Sequence, residues 1–125
     1  MVQMPSGKLT YKRGEIWWVN LKPTVGRETD KNRPCLILQN DIGNRNSSTT
    51  IVAPLLKGHK TYPFVVNVTT TATNGLDRDR HINLSQIRAV DAIRIQDRQG
   101  ILEPIYWEAI EKAILIELGF NTVFR

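Results

Sequence analysis

Residues 15–41 read "EIWWVNLKPTVGRETDKNRPCLILQND". Two apolar runs, "EIWWVNL" (15–21) and "RPCLILQND" (33–41), are rich in β-branched and aromatic residues and bounded by Asn, Asp or Pro, which predicts two strands. The segment joining them, "KPTVGRETDKNRP" (22–34), carries six charges, Gly26 and the pair Thr24 and Thr29, with Val25 its one apolar side chain apart from the proline rings. A plain reversal takes roughly four or five residues. The surplus is expected to serve contact rather than burial, with residues 22–32 mobile in the free protein.

Outward from this pair, the same composition recurs in "TTIVAPLL" (49–56), "YPFVVNV" (62–68), "HINLSQI" (81–87) and "AVDAIRI" (89–95). Six short runs predict a mainly β chain, a small antiparallel barrel or sandwich. The period then changes. "PIYWEAIEKAILIEL" (104–118) sets Ile110, Ala113, Ile114 and Leu118 at helical spacing, with Pro104 in the first turn and Gly119 as the stop, so one C-terminal helix is expected against the β core. Trp17 and Trp18 alternate faces, which predicts one in the core and the other at a rim.

At 125 residues the chain reads as one domain, 1–125, able to bury about two-thirds of its unfolded surface, with residues 1–10 a flexible tail. Its single cysteine, Cys35, rules out an internal disulfide framework, and no metal ligands stand at motif spacing, so no cofactor or metal is expected. No run approaches the length of a membrane span, and "MVQMPSGKLT" lacks the apolar segment of a signal peptide, so a cytoplasmic protein is expected. Seventeen Lys and Arg against twelve Asp and Glu give a net charge of +5. That balance favours a polyanionic partner through phosphate contact and counterion release.

The ordered set "KRGEIWWVNLKPTVGRETDKNRPCLILQNDIGN" (12–44), "VAPLLKGHKTYPFVV" (52–66) and "SQIRAVD" (85–91) resembles the MazF/PemK family of toxin endoribonucleases. The resemblance covers residues 12–95 and rests on the order of the segments. It implies an SH3-like β barrel with a C-terminal helix, usually a homodimer, that cuts single-stranded RNA without metal and leaves a 2′,3′-cyclic phosphate and a 5′-hydroxyl. It also implies a small acidic antitoxin of the MazE type that competes with RNA for a groove bordered by the 22–34 loop.

That chemistry needs a group to take the 2′-hydroxyl proton, a group to protonate the departing 5′-oxygen, and cations for the phosphorane. Arg33 matches the family's catalytic arginine; its guanidinium suits phosphate oxygens and does not deprotonate, so charge stabilisation is its expected role. The family's second catalytic position, a threonine or serine, falls on Leu56, which cannot donate a hydrogen bond. Lys57 is the nearest polar substitute, with Thr49 and His59 more remote; reduced activity or a register shifted by one residue are the other readings. A branch of the family resembling Kid uses an arginine and an aspartate where this sequence has Asn83 and Ser85. The spacing of His59 and His81 does not predict a pair.

Gly26, Arg27, Glu28, Asn40, Ser85, Gln86 and Arg88 match positions that line the groove and are expected to hold RNA: amides and carboxylates read base edges, and glycine permits close backbone approach. Two alternatives stand beside the nuclease. A gyrase poison resembling CcdB needs a tryptophan-glycine-isoleucine end to the last helix, where this chain has "GFNTVFR" (119–125). A non-catalytic module binding RNA or antitoxin would tolerate Leu56.

Overall fold

A computed structural model describes residues 10–22 and 32–120. The first tail residues and nearly all of the 22–32 loop therefore lie outside the described residues, as do the expectations of mobility placed on them.

The described chain is mainly antiparallel β with a C-terminal helix, as expected. Its elements are β1 (Glu15–Asn20), β2 (Asn32–Ile37), α1 (Asp41–Asn46), β3 (Thr49–Lys57), β4 (Val65–Val68), β5 (Arg80–Asn83), β6 (Arg88–Asp91), β7 (Ile95–Ile101) and α2 (Trp107–Glu117). The strands run β4-β5-β3-β2-β1-β7 across the sheet, with β6 paired to β3 off that path. No ladder joins β6 or β4 to β7 among the described residues, so barrel names the family of shape here and not a closed ring of hydrogen bonds.

Strand β3 organises the sheet. Along one edge Val52 to Pro54 pair with Ile37 to Cys35 of β2. Along the other, Thr49 to Val52 pair with β6 and Leu55 to Lys57 pair with β5, so two partners share one edge in succession. Side chains alternate along it. Ala53 and Leu55 enter a cluster with Ile16, Leu36, Ile82, Leu102 and, from α2, Ile110 and Ala113. Val52 enters a second cluster on the other face with Trp17, Val19, Leu21, Cys35, Ile37, Val90 and Ile95. Trp17 is thus the core tryptophan, and Trp18 is half-buried on the opposite face.

Several element ends differ from the sequence reading for local reasons. The second strand stops at Ile37 rather than running to residue 41, because the Asn40 side chain accepts from the Gly43 amide at 2.8 Å and caps α1. The fourth run pairs only from Val65, with Tyr62 and Phe64 stacked in the turn before it at 5.3 Å between centroids. The fifth ends at Asn83, where a 3-10 turn over Leu84–Gln86 begins. The sixth splits at the 3-10 turn Ala92–Arg94, after which β7 continues. At the far end α2 stops as expected. Gly119, at φ +78°, lets its amide reach Ile116 O at 3.2 Å while that of Phe120 reaches Leu115 O at 2.9 Å.

Gly75 is a required glycine: at φ +69°, an added Cβ would sit 2.0 Å from Gln99 O. Gly75→Ala should cost about 3 kcal/mol or more, combining backbone strain with a clash against main chain. Gly58→Ala, at φ +80° but with nothing within 4 Å, should cost only about 1–2 kcal/mol. Denaturant unfolding of the two variants checks the difference.

Cys35 is fully buried, and burial pushes its thiol well up, only partly offset by the guanidiniums of Arg88 and Arg33. Because the folded thiol resists ionisation, its contribution to stability is complete below the ordinary thiol value of 9.0 and is lost as pH rises beyond it. Stability should fall by about 1.4 kcal/mol per pH unit from this group. Tyr11, also raised by burial and by Asp91, adds to the fall at higher pH from its ordinary 10.0. Urea unfolding between neutral and alkaline pH, with Cys35→Ala showing the shallower loss, measures it.

Candidate active site

The open part of the sheet begins where the second cluster ends. Arg33 lies opposite Val19 of β1 and two residues before Cys35, so it shares their face. Leu56 pairs directly with His81 of β5, and His81 with Asn67 of β4. Cys35 pairs with Pro54 in the last rung of the β2–β3 ladder, two residues before the level of Arg33 and Leu56. Leu56, His81 and Asn67 therefore form one transverse row over β3, β5 and β4, with Asn83 on the same face of β5, and Arg33 lies on that face just past the end of the β2–β3 ladder.

Arg33 is half-buried, and its Nε is sealed from solvent without a hydrogen-bond partner. A buried guanidinium nitrogen left unpaired is costly and marks a place where an acceptor belongs. Arg88 opens β6 opposite Val52, on the same face, and its Nη1 donates to Leu21 O at 3.2 Å. Arg94 donates similarly to Asn20 O at 3.2 Å. Both bonds spend guanidinium donors on the carbonyls where β1 runs out.

The polar residues at the other end are held by local bonds. His81 is buried, and its Nδ1 stands 2.8 Å from Gly58 O. Since a carbonyl only accepts, Nδ1 carries the proton. The Asn67 amide clamps the β3–β4 loop, accepting from Lys60 N at 3.1 Å and donating to Lys60 O at 3.0 Å. Asn83 Oδ1 accepts from the Ser85 amide at 2.9 Å and from the Ser85 hydroxyl, fixing the turn that carries Ser85 and Gln86.

The residues expected at the site are thus distributed unevenly. Arg33 and Arg88 share a face and both act electrostatically on Cys35; Ser85 and Gln86 sit on the turn leaving β5. Gly26, Arg27 and Glu28 lie outside the described residues. Asn40 uses its side chain as a helix cap. Lys57 is exposed and pairs with Arg80, and alternation turns it to the face opposite Leu56. Thr49 sits at the far end of β3 with its hydroxyl 3.1 Å from that of Ser47. His59 is exposed in the loop after β3, and no hydrogen bond joins it to His81. His81 and Asn67 were not predicted for the site. The signal was available for His81 only as a strand register spanning twenty-five positions.

Among the described residues no three His, Cys, Asp or Glu side chains gather as a metal would require, and no helix is long and apolar enough to cross a membrane. A separate groove of about 460 Å³ opens between α2 and Arg13, lined by Leu38, Trp107, Ile110, Ile114 and Leu115 among others. There the Arg13 guanidinium carbon lies 4.5 Å from the Trp107 ring centroid.

Comparison with known proteins agrees with this architecture. Endoribonuclease EndoA of Bacillus subtilis (strain 168) is 37% identical over 109 residues, which cover 86% of this chain and 94% of that one. The crystal structure of MazF (Form-I) from Deinococcus radiodurans superposes with a TM-score of 0.75 at 21% identity, covering 89% of this chain and 98% of that one. A mycobacterial endoribonuclease in complex with its cognate antitoxin gives 0.73 at 20% identity, covering 90% and 98%. The family model for the PemK-like, MazF-like toxin of type II toxin-antitoxin systems matches residues 12–118. With a match over most of its length, the chain belongs to the PemK-like, MazF-like toxin family.

Proposed function

We propose that this chain is the toxin endoribonuclease of a type II toxin-antitoxin pair, cutting single-stranded RNA without metal by attack of the 2′-hydroxyl on the neighbouring phosphate. The products are a 2′,3′-cyclic phosphate and a 5′-hydroxyl. The observation that carries this reading is Arg33. Its half-buried guanidinium shares a face of the sheet with a second arginine that is already anchored, and its sealed Nε has no partner in the fold. A guanidinium suits phosphate oxygens, and the fixed cation opposes the charge that accumulates on the phosphorane.

Arg88 anchors the same face, while Ser85 and Gln86 flank it from the turn after β5 and contact RNA there. Gly26, Arg27 and Glu28, outside the described residues, are proposed as further RNA contacts from the family resemblance. Lys57, at the exposed end of β3, contributes a diffuse positive field rather than a contact within the row. Single strands are the substrate because their base edges and 2′-hydroxyls are open, whereas the A-form major groove is too deep and narrow for side chains to read.

The partner is a small acidic antitoxin, as fits a toxin of net charge +5; the mycobacterial relative named above is in complex with its own. A homodimer is the assembled form. In its support, Leu118 and Phe120 stand more than half exposed just beyond the end of α2, apolar surface suited to protein contact.

Purified protein should cleave single-stranded RNA in EDTA and spare duplex RNA; a strict need for added magnesium or manganese would remove the metal-free mechanism. Arg33→Ala should lower kcat on the order of 10²-fold or more, as loss of a preorganised transition-state donor does, with the unfolding midpoint close to that of the parent. Single-turnover cleavage and urea unfolding on the same preparations decide it.

A further inference from the structure

We propose that His81 takes the 2′-hydroxyl proton, its ring standing beside Leu56 on the same face of the sheet as Arg33. This rests on the ribonuclease reading above and names a group that reading leaves open. Arg33 cannot accept a proton, Leu56 has none to exchange, and Lys57 faces the other side of the strand.

Three observations support the assignment. First, His81 pairs directly with Leu56, and alternation along β2, β3 and β5 puts Arg33, Leu56 and His81 on one face of the sheet, with Arg33 two residues past the last β2–β3 pair. Second, the tautomer is fixed. Gly58 O accepts from Nδ1–H, so in the neutral ring the lone pair lies on Nε2. Third, Nε2 meets the surface. Among the described residues the polar side-chain atoms sealed from solvent without a partner are Tyr11 Oη and Arg33 Nε, and no bond of the ring to a described residue is seen beyond that to Gly58. At 4% exposure the ring is otherwise packed, and a packed ring is a preorganised one.

The charged groups on the elements flanking the ring are Arg33 on β2, Lys57 at the end of β3, and Asp79 and Arg80 beside it in sequence. Arg80 is engaged by Asp77 at 2.9 Å. From β4 the facing residue is the neutral Asn67.

In the step, the 2′-oxygen forms its bond to phosphorus as its proton passes to Nε2. The bond from phosphorus to the 5′-oxygen breaks, and that oxygen takes the proton from the imidazolium, directly or relayed through a water that gives one proton and receives the other. The ring returns to its starting state, so no oxidant or further reactant is needed.

His81→Asn keeps a donor for Gly58 O and removes the base. It should lower kcat by roughly 10²- to 10⁴-fold, leave KM for a single-stranded oligonucleotide within about threefold, and abolish the acid limb of the kcat profile. Arg33→Ala should keep that limb at a reduced rate. If the variant is misfolded by circular dichroism, the parent profile still decides: kcat flat from pH 5 to 8 overturns the proposal. So does a folded His81→Asn protein with parental kcat. A parent that cleaves no RNA at all fails the ribonuclease reading instead.

Discussion

Everything in this molecule depends on the register of β3. The strand pairs along one edge with β2 and along the other with β6 and then β5, and its side chains alternate between two separate apolar clusters. A slip of one residue would exchange the faces, carrying Lys57 to the side of Arg33 and Leu56 into the cluster under α2. Burial on both faces forbids it. Ala53 and Leu55 are packed on one side and Val52 on the other, all fully buried, so the register that positions the row is enforced by the whole core.

The electrostatics of the site follow from what that register leaves unpaired. Arg88 and Arg94 end on main-chain carbonyls of residues 21 and 20, and Arg80 ends on Asp77 and Leu55 O. Each of these guanidiniums spends donors on the fold. Arg33 keeps a buried nitrogen without an acceptor. The fold therefore separates structural arginines from one whose hydrogen-bonding capacity is unspent, and the former supply the potential in which the latter works.

Much of this architecture was legible in the sequence. The β-rich composition, the C-terminal helix with its glycine stop, and the ordered resemblance to MazF and PemK toxins agree with the described fold and with the family match over residues 12–118. β7 was missed because "IQDRQGI" has four charged or amide residues in succession and reads as a loop; only pairing with β1 makes it a strand. Helix α1 was missed because "DIGNRN" is short and rich in turn formers, and it exists through its Asn40 cap and the buried Asn44, which Thr50 bonds at 2.6 Å. That Arg33, Leu56 and His81 share one face was not legible, since they stand on three strands far apart in sequence. That Lys57 faces away from Leu56 was legible: adjacent residues on a strand point to opposite sides.

The identity of Leu56 acquires a meaning from Arg33 and His81, which share its face. A hydroxyl at that position would be a hydrogen-bonding partner for such groups, competing with substrate for the Arg33 fork and for the free imidazole nitrogen. An isobutyl group bonds to neither and keeps water from the space between them. In that drier setting the attraction between a guanidinium and a phosphorane is less screened than at an open surface. The apolar residue on that polar face is then consistent with chemistry carried by the two groups, one supplying fixed charge and the other a movable proton.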